Sequence, residues 1–189
     1  PRNCQRLYRC PDAMTQPVLT TKRLLLEPAT FEDLDLLWAL WTIPDVLRYL
    51  FDGATMTRDE ARDHLAQGVS QNNQGRGLWM IHSRDDRTFL GEIGLEITND
   101  LIAHDAQMEN EVEFQIALHP DGWGKGYGEE ALTALLRYAF DTLQLPYVMG
   151  VADAPNKGSR RLQEKMGFVW QREVEGKIGK LVIYKRERD

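Results

Sequence analysis

The sequence predicts a single α/β domain, of the α+β type, with a mixed and mostly antiparallel central sheet of about seven strands and helices on both faces. The 189 residues are near the size of one compact domain. Strand-like and helix-like apolar periods alternate along them, and no repeat, linker or low-complexity stretch divides them. We expect the domain to occupy residues 20–189. Residues 1–19 lack periodicity and are predicted to be a leader, disordered or foreign to the native chain, with native translation beginning at Met14.

Turn and capping residues bound each predicted element of the first half. Pro28 closes the first strand, and Thr30 with Asp33 forms an N-cap pattern for the first helix. Pro44 ends that helix, and Thr57 with Glu60 caps a weaker one. The predicted ranges are a strand over 21–27, a helix over 34–41, a short turn over 46–50, a helix from 58 to about 73, and a hairpin of strands over 78–82 and 88–97.

The second half begins with a polar loop over residues 99–110 and continues as a strand, a Gly-rich turn and the most amphipathic helix of the chain. Apolar residues from Ala131 to Leu143 form one continuous helical face. Asn156 is a candidate N-cap for a last helix that ends at Gly167. The predicted strands of this half cover residues 112–118, 147–152, 168–173 and 180–186.

Composition narrows the function. A formal net charge of −6 argues against a nucleic-acid partner, because such a partner would require clustered Lys and Arg. The acidic charge instead favours a positively charged, amine-bearing substrate. No apolar run approaches the length of a membrane helix, so we expect no membrane partner. Both cysteines, Cys4 and Cys10, precede Met14, and the four histidines lack metal-ligand spacing. We therefore expect no disulfide and no metal, and a cytoplasmic protein.

The Gly-rich turn over residues 122–128, between a strand and the amphipathic helix, has the form of an anion site. Its glycines allow several backbone N–H groups to converge, and the helix adds its positive N-terminal end. The spacing fails the dinucleotide G-x-G-x-x-G pattern, and Lys125 precedes Gly126 rather than the Ser or Thr of a Walker A motif. A tight turn without a ligand is the remaining alternative.

In this context the pattern Gly124-x-Gly126-x-Gly128 resembles the pyrophosphate loop of GNAT acetyltransferases. The wider string WGKGYGEEAL at 123–132 is similar to the branch that acetylates ribosomal-protein N-termini, the RimJ/RimL type. Two further pieces of that branch match: TKRLLL at 21–26, and Asn156-x-x-Ser159 followed by EKMGF at 164–168. The resemblance covers about residues 20–168. Trp123 replaces the usual Gln or Arg of the general loop, Gly122 replaces an aromatic residue, and the chain after Phe168 is short, which leaves the acceptor undetermined.

The resemblance implies acetyl-CoA as the acetyl donor and an amine as the acceptor, either a peptide N-terminus or a small molecule. It implies that the strand before the loop offers backbone groups to the pantetheine arm and that basic residues, including Lys157 and Arg161, face the phosphates. The implied coenzyme-binding residues are Ile116, Ala117, Leu118, Trp123, Gly124, Lys125, Gly126, Tyr127, Gly128, Glu129, Asn156, Ser159 and Arg160. Dimers are common in the family, which makes a homodimer one possible state.

Two residues are candidates for the chemistry. An amine with a pKa near ~10 must lose a proton before it attacks a thioester. Glu113 matches a family glutamate thought to act through water, and Glu111 is the fallback. Ser159 matches a serine near the coenzyme sulfur and would donate to the departing thiolate. A solvent-facing strand residue for Glu113 and a simple helix cap for Ser159 are the alternatives. At the level of function, the alternative to an enzyme is a non-catalytic acyl-CoA sensor or scaffold.

Overall fold

The computed structural model describes residues 15–97, 108, 110–177 and 179–189, without the Asp52 side chain. The described strands are β1 Leu19–Thr20, β2 Leu24–Pro28, β3 Gly77–Ser83, β4 Phe89–Ile97, β5 Val112–Leu118, β6 Tyr147–Asp153, β7 Val169–Glu175 and β8 Lys180–Glu187. They form a central sheet in the order β1-β2-β3-β4-β5-β6-β8-β7. Every neighbouring pair in it is antiparallel except β5 and β6.

The eight described strands exceed the expected seven because Leu19–Thr20 pairs with β2. The preceding residues are packed as well. Gln16 is 3% exposed, and its side-chain amide donates to the carbonyl of Leu78 at 3.0 Å. The carbonyl of Pro17 accepts the indole N–H of Trp79. Residues 16–19, which the sequence assigns to the leader, thus belong to the fold; residues 1–14, and most of the predicted loop over 99–110, lie outside the described part of the chain.

The described α-helices are α1 Leu34–Trp41, α2 Pro44–Leu47, α3 Arg58–Ser70, α4 Tyr127–Arg137 and α5 Lys157–Lys165. Helices begin where the capping residues predict. The Thr30–Asp33 capping box starts a short 3-10 turn that leads into α1, and the Thr57–Glu60 box starts α3. The amphipathic helix α4 continues into a π-helical turn over Tyr138–Thr142 instead of keeping one pitch.

The two larger apolar clusters of the described core lie on opposite faces of the sheet. Leu135 of α4 packs with Trp79, Ile93 and Phe114 on one face. On the other face, α1 and α3 pack with alternate residues of the same strands, including Met80 and Ala117. Because helices cover both faces, side chains on either side of β3, β4 and β5 are largely removed from bulk water.

The parallel pair β5 and β6 separates after two residue pairs. Glu113 is paired with Met149 and Phe114 with Gly150. Beyond these pairs β5 continues to Leu118 beside β4, while β6 continues to Asp153 beside β8. A gap therefore opens in the middle of the sheet, and the described cavity of the protein lies there.

Candidate active site

A cavity of about 780 Å³ occupies the gap between β5 and β6. Residues 113–118 of β5 form one wall, and residues 151–153 of β6 with the start of α5 form the opposite wall. The Gly-rich turn closes one end, and residues 45–51, around α2, lie over the α1–α3 side of the sheet. The cavity is thus continuous from the Gly-rich turn to the helices that follow β2.

The Gly-rich turn has the geometry of an anion cradle. Gly124 and Gly126 have φ angles of 72° and 79°, in the left-handed region that favours glycine. A Cβ at Gly124 would meet no described atom within 4 Å, so the space beside this backbone position is open. Gly126 is the N-cap of α4, and none of the described side chains caps its first turn. The N–H groups and positive end of α4 are therefore available to phosphate oxygens, and the residues fit a coenzyme pyrophosphate.

Arg23, which directly precedes β2, links this turn to the sheet by side-chain contacts. Its guanidinium donates to Glu130 at 2.7 Å and to the Lys125 carbonyl at 3.0 Å, and lies 4.6 Å from the centroid of the Tyr127 ring. The Thr21 hydroxyl donates to the same Glu130 carboxylate at 2.6 Å. The TKRLLL string is thus linked to the Gly-rich turn by side-chain contacts that pattern matching alone does not reveal.

Glu113 lines the cavity near the point where β5 and β6 separate. Its side chain is on the sheet face covered by α1–α3, and across the β4–β5 ladder it is paired with Glu96. Burial first, and the charge of Glu96 second, raise the pKa of Glu113 to about 8. Burial also raises the pKa of Glu96 to about 7, although a hydrogen bond from Gln115 opposes the shift. Glu113 is therefore not the solvent-facing strand residue of the alternative interpretation.

Glu111, the fallback base, precedes β5 and does not line the cavity. Its carboxylate accepts a hydrogen bond from the Tyr147 hydroxyl at 3.1 Å. Of the two glutamates, Glu113 alone has access to the cavity.

Ser159 and Asn156 line the opposite wall at the start of α5. Asn156 is the N-cap, because its Oδ1 accepts the Ser159 N–H at 3.1 Å. The Ser159 hydroxyl is not needed for that cap. Its Oγ instead accepts a hydrogen bond at 3.2 Å from Nε2 of the fully buried Gln163. This bond uses a lone pair of Oγ and leaves the hydroxyl proton to donate elsewhere.

Some of the predicted coenzyme-binding residues line the cavity and others do not. Lys125 and Arg160 do not line the cavity, and the Arg160 guanidinium donates to the Ala154 carbonyl and the Tyr184 hydroxyl. Lys157 does line it, whereas Arg161 does not. The predicted residues that line the cavity are Ile116, Ala117, Leu118, Trp123, Gly124, Gly126, Tyr127, Gly128, Glu129, Asn156 and Ser159. The coenzyme roles of both groups stay predictions.

Two of the side chains that line the cavity also bind other residues of the protein. The Trp123 indole N–H donates to the Leu118 carbonyl at 2.8 Å, so one backbone acceptor of β5 already has a donor. Glu129, in the first turn of α4, forms a salt bridge with Lys165 at 2.7 Å. Gly128 is close to Leu162 of α5, at 3.4 Å from an added Cβ, which allows the two helices to meet at the turn.

Sequence reasoning missed Glu92 and His64, which also line the cavity. Glu92 is 2% exposed, and burial, followed by the charge of Glu96, raises its pKa to about 8, against a smaller lowering by the Trp41 indole. Burial lowers the pKa of His64 to about 4, so this imidazole is neutral at physiological pH. An acid within a strand covered on both faces is the pattern that could have revealed Glu92.

Comparison with known proteins agrees with this geometry. Residues 23–169 match the family model described as an acetyltransferase (GNAT) domain. An uncharacterized N-acetyltransferase of Bacillus subtilis, YoaA, is 28% identical over 153 residues, which cover 80% of this chain and 82% of that protein. The FsC-acetyl coenzyme A-N(2)-transacetylase of Aspergillus fumigatus is 28% identical over 155 residues, covering 81% of this chain and 65% of that protein.

Solved structures show the same fold. An acetyltransferase from Agrobacterium tumefaciens has a TM-score of 0.77 at 22% identity, covering 93% of this chain and 96% of its own. The ribosomal alpha-N-protein acetyltransferase RimL, in complex with coenzyme A, has a TM-score of 0.72 at 14% identity, covering 90% of this chain and 98% of its own.

The family model of an acetyltransferase (GNAT) domain covers more than half of the chain, and the fold and the cavity agree with it. The chain therefore belongs to the GNAT family of acetyltransferases. It is an acetyl-CoA-dependent N-acetyltransferase. No helix among the described residues is long and apolar enough to cross a membrane.

Proposed function

We propose that the protein transfers the acetyl group directly from acetyl-CoA to a primary amine, at a peptide N-terminus or on a small molecule, with Glu113 as general base and Ser159 as hydrogen-bond donor to the departing sulfur. The observation that carries the proposal is the position of Glu113 and Ser159 on facing walls of one cavity, beyond a Gly-rich anion cradle. The RimJ/RimL-type motifs, a cytoplasmic location and a homodimer are the finer parts of the same proposal.

The bound coenzyme supplies the activated acetyl thioester. The free turn of α4 would hold its pyrophosphate, and the wall of β5 facing the gap would hold its pantetheine arm along residues 116–118. These contacts would position the thioester near the point where β5 and β6 separate, within reach of Glu113 and Ser159. Positioning of the two reactants accounts for a large part of the rate in such direct transfers.

Glu113 accepts the amine proton, directly or through one water, as the nitrogen lone pair forms the new C–N bond. The C–S bond then breaks with its electron pair on sulfur, and the Ser159 hydroxyl donates to that thiolate. A carboxylate with a pKa of about 8 is a stronger base than an ordinary glutamate, and its pKa is closer to that of the amine it deprotonates. Burial, which raises this pKa, thus suits Glu113 to the reaction.

The test is the pH dependence of acetyl transfer, followed by the mass of the acetylated amine. Because the base form of Glu113 appears as pH rises through about 8, kcat/KM of the native protein should rise over that range. Glu113→Gln should lower the rate by about a hundredfold at pH 8, with the difference narrowing towards pH 10, where the amine deprotonates unaided.

Glu111→Gln is the matched control, because it removes a neighbouring carboxylate outside the cavity and should leave the profile unchanged. Equal activity of native protein and Glu113→Gln at all pH values would exclude Glu113 as the base. Binding of acetyl-CoA without transfer to any amine would instead favour an acyl-CoA sensor.

A further inference from the structure

Gln163 is a fully buried amide side chain that follows Ser159 by one turn of α5. Its Nε2 donates to the Ser159 Oγ at 3.2 Å and to the Val151 carbonyl at 3.3 Å. Val151 directly follows the last described β5–β6 pair, Phe114 with Gly150, so its carbonyl lies where the two strands begin to separate. The two hydrogens of the Gln163 amide thus both have acceptors, one on α5 and one on β6.

The surroundings of Gln163 determine which way its amide faces. The other amide atom, Oε1, has no hydrogen-bond partner among the described residues and lies against Gly150, where an added Cβ would overlap it. A reversed amide would place Oε1 beside the Val151 carbonyl, and two acceptor oxygens would then face each other with no hydrogen between them. The Val151 carbonyl and the missing side chain of Gly150 therefore hold the amino group of Gln163 toward Ser159.

This orientation limits what the Ser159 hydroxyl can do. Because a carboxamide nitrogen donates and does not accept, Ser159 can only accept from Gln163 and must direct its own proton elsewhere. The Asn156 cap uses the Ser159 backbone N–H, and the hydroxyl donates to none of the described residues. The Ser159 side chain lines the cavity, so its proton is available to a ligand there.

We infer that Gln163 is a positioning residue, which reserves the Ser159 hydroxyl proton for the departing sulfur of the coenzyme. The inference rests on the proposed function, in which Ser159 donates to that thiolate. Gln163 breaks no bond and carries no proton; it occupies one lone pair of Oγ and offers the hydroxyl no acceptor. Because the bond to sulfur strengthens as charge develops there, orienting its donor in advance should raise kcat more than it tightens binding of acetyl-CoA.

The test is Gln163→Glu, which keeps the shape of the side chain and changes its hydrogen bonding. An ionised carboxylate only accepts, so the Ser159 proton should turn toward it and be lost to the sulfur, whereas a protonated carboxyl can still donate. The kcat of Gln163→Glu relative to native protein, with acetyl-CoA and a monoamine, should therefore fall as pH rises. The loss should reach about tenfold, the lower range for a hydrogen bond to a charged group, while KM for acetyl-CoA changes less than about threefold.

Gln163→Met is the matched control for packing, because it fills a similar volume without an amide group. It should lower kcat severalfold with no dependence of that loss on pH. The double variant Ser159→Ala/Gln163→Glu separates orientation of the hydroxyl from direct repulsion between the new carboxylate and the sulfur. The pH-dependent loss should disappear in this double variant, because no hydroxyl is left to be captured.

Thermal unfolding with and without acetyl-CoA checks that each variant is folded and keeps the donor site. A loss in Gln163→Glu that does not depend on pH, or that persists in the double variant, overturns the inference while the acetyltransferase function stands. Should Gln163→Glu not fold, Gln163→Met decides, since additive losses of kcat in Ser159→Ala/Gln163→Met would also overturn it. If Ser159→Ala transfers acetyl groups as fast as native protein, the Ser159 part of the proposed function fails, and the role of Gln163 fails with it.

Discussion

Replacing Glu96 with glutamine removes the carboxylate that lies opposite Glu113 on the β4–β5 ladder. Residues directly opposite in an antiparallel pair have Cβ atoms ~5 Å apart, so the two carboxylates are taken as ~6 Å apart. At an effective dielectric constant of ~20 the repulsion is ~2.8 kcal/mol, which corresponds to ~2 pH units on a pKa. Because the pKa of Glu96 is itself about 7, its charge is incomplete in the range where Glu113 titrates. We therefore expect Glu96→Gln to lower the pKa of Glu113 by about one pH unit.

The assay is the initial rate of acetyl transfer to a monoamine as a function of pH. Lowering the pKa from about 8 towards ~7 raises the ionised fraction at pH 7 from about a tenth to about a half, so the rate there should increase ~5-fold. Burial is the larger cause of the raised pKa of Glu113, so in Glu96→Gln the rise of the rate with pH should stay above the pKa of an ordinary glutamate. If the rising part of the pH–rate profile does not shift in Glu96→Gln, the electrostatic coupling between the two acids is refuted. If the shift persists in the double variant Glu96→Gln/Glu113→Gln, the rise in rate belongs to a group other than Glu113.

Two further predictions concern the coenzyme side. Gly124→Ala and Gly53→Ala place a Cβ at left-handed positions with φ of 72° and 68° and no atom within 4 Å, so both should lose ~1–2 kcal/mol of stability. Only Gly124→Ala should also lose the thermal shift with acetyl-CoA; retention of that shift would contradict the anion cradle. If Gln163 acts through Ser159, Gln163→Leu should lower kcat severalfold with little change in KM, and should have no added effect on kcat in Ser159→Ala. Additive losses would assign Gln163 a packing role.

Local patterns account for most of the elements. The capping boxes at Thr30 and Thr57 set helix starts, and the strand, Gly-rich turn and amphipathic helix over residues 112–137 are readable from spacing alone. The eighth strand is not, because Leu19–Thr20 is too short to carry a period and forms only by pairing with β2. The π-helical turn after α4 is equally invisible, since Ala131 to Leu143 keeps an ordinary helical pattern.

The site is predictable where it depends on one segment and not where it depends on register. The Gly-rich turn, Asn156 and Ser159 are local motifs, and the structure lines one cavity with them. The positions of the acids on β4 relative to the site are set by pairing with β5, which puts Glu96 opposite Glu113 and Glu92 opposite Ala117. Nothing in either strand alone encodes that register, so the sequence does not show which β5 residue each of these acids faces.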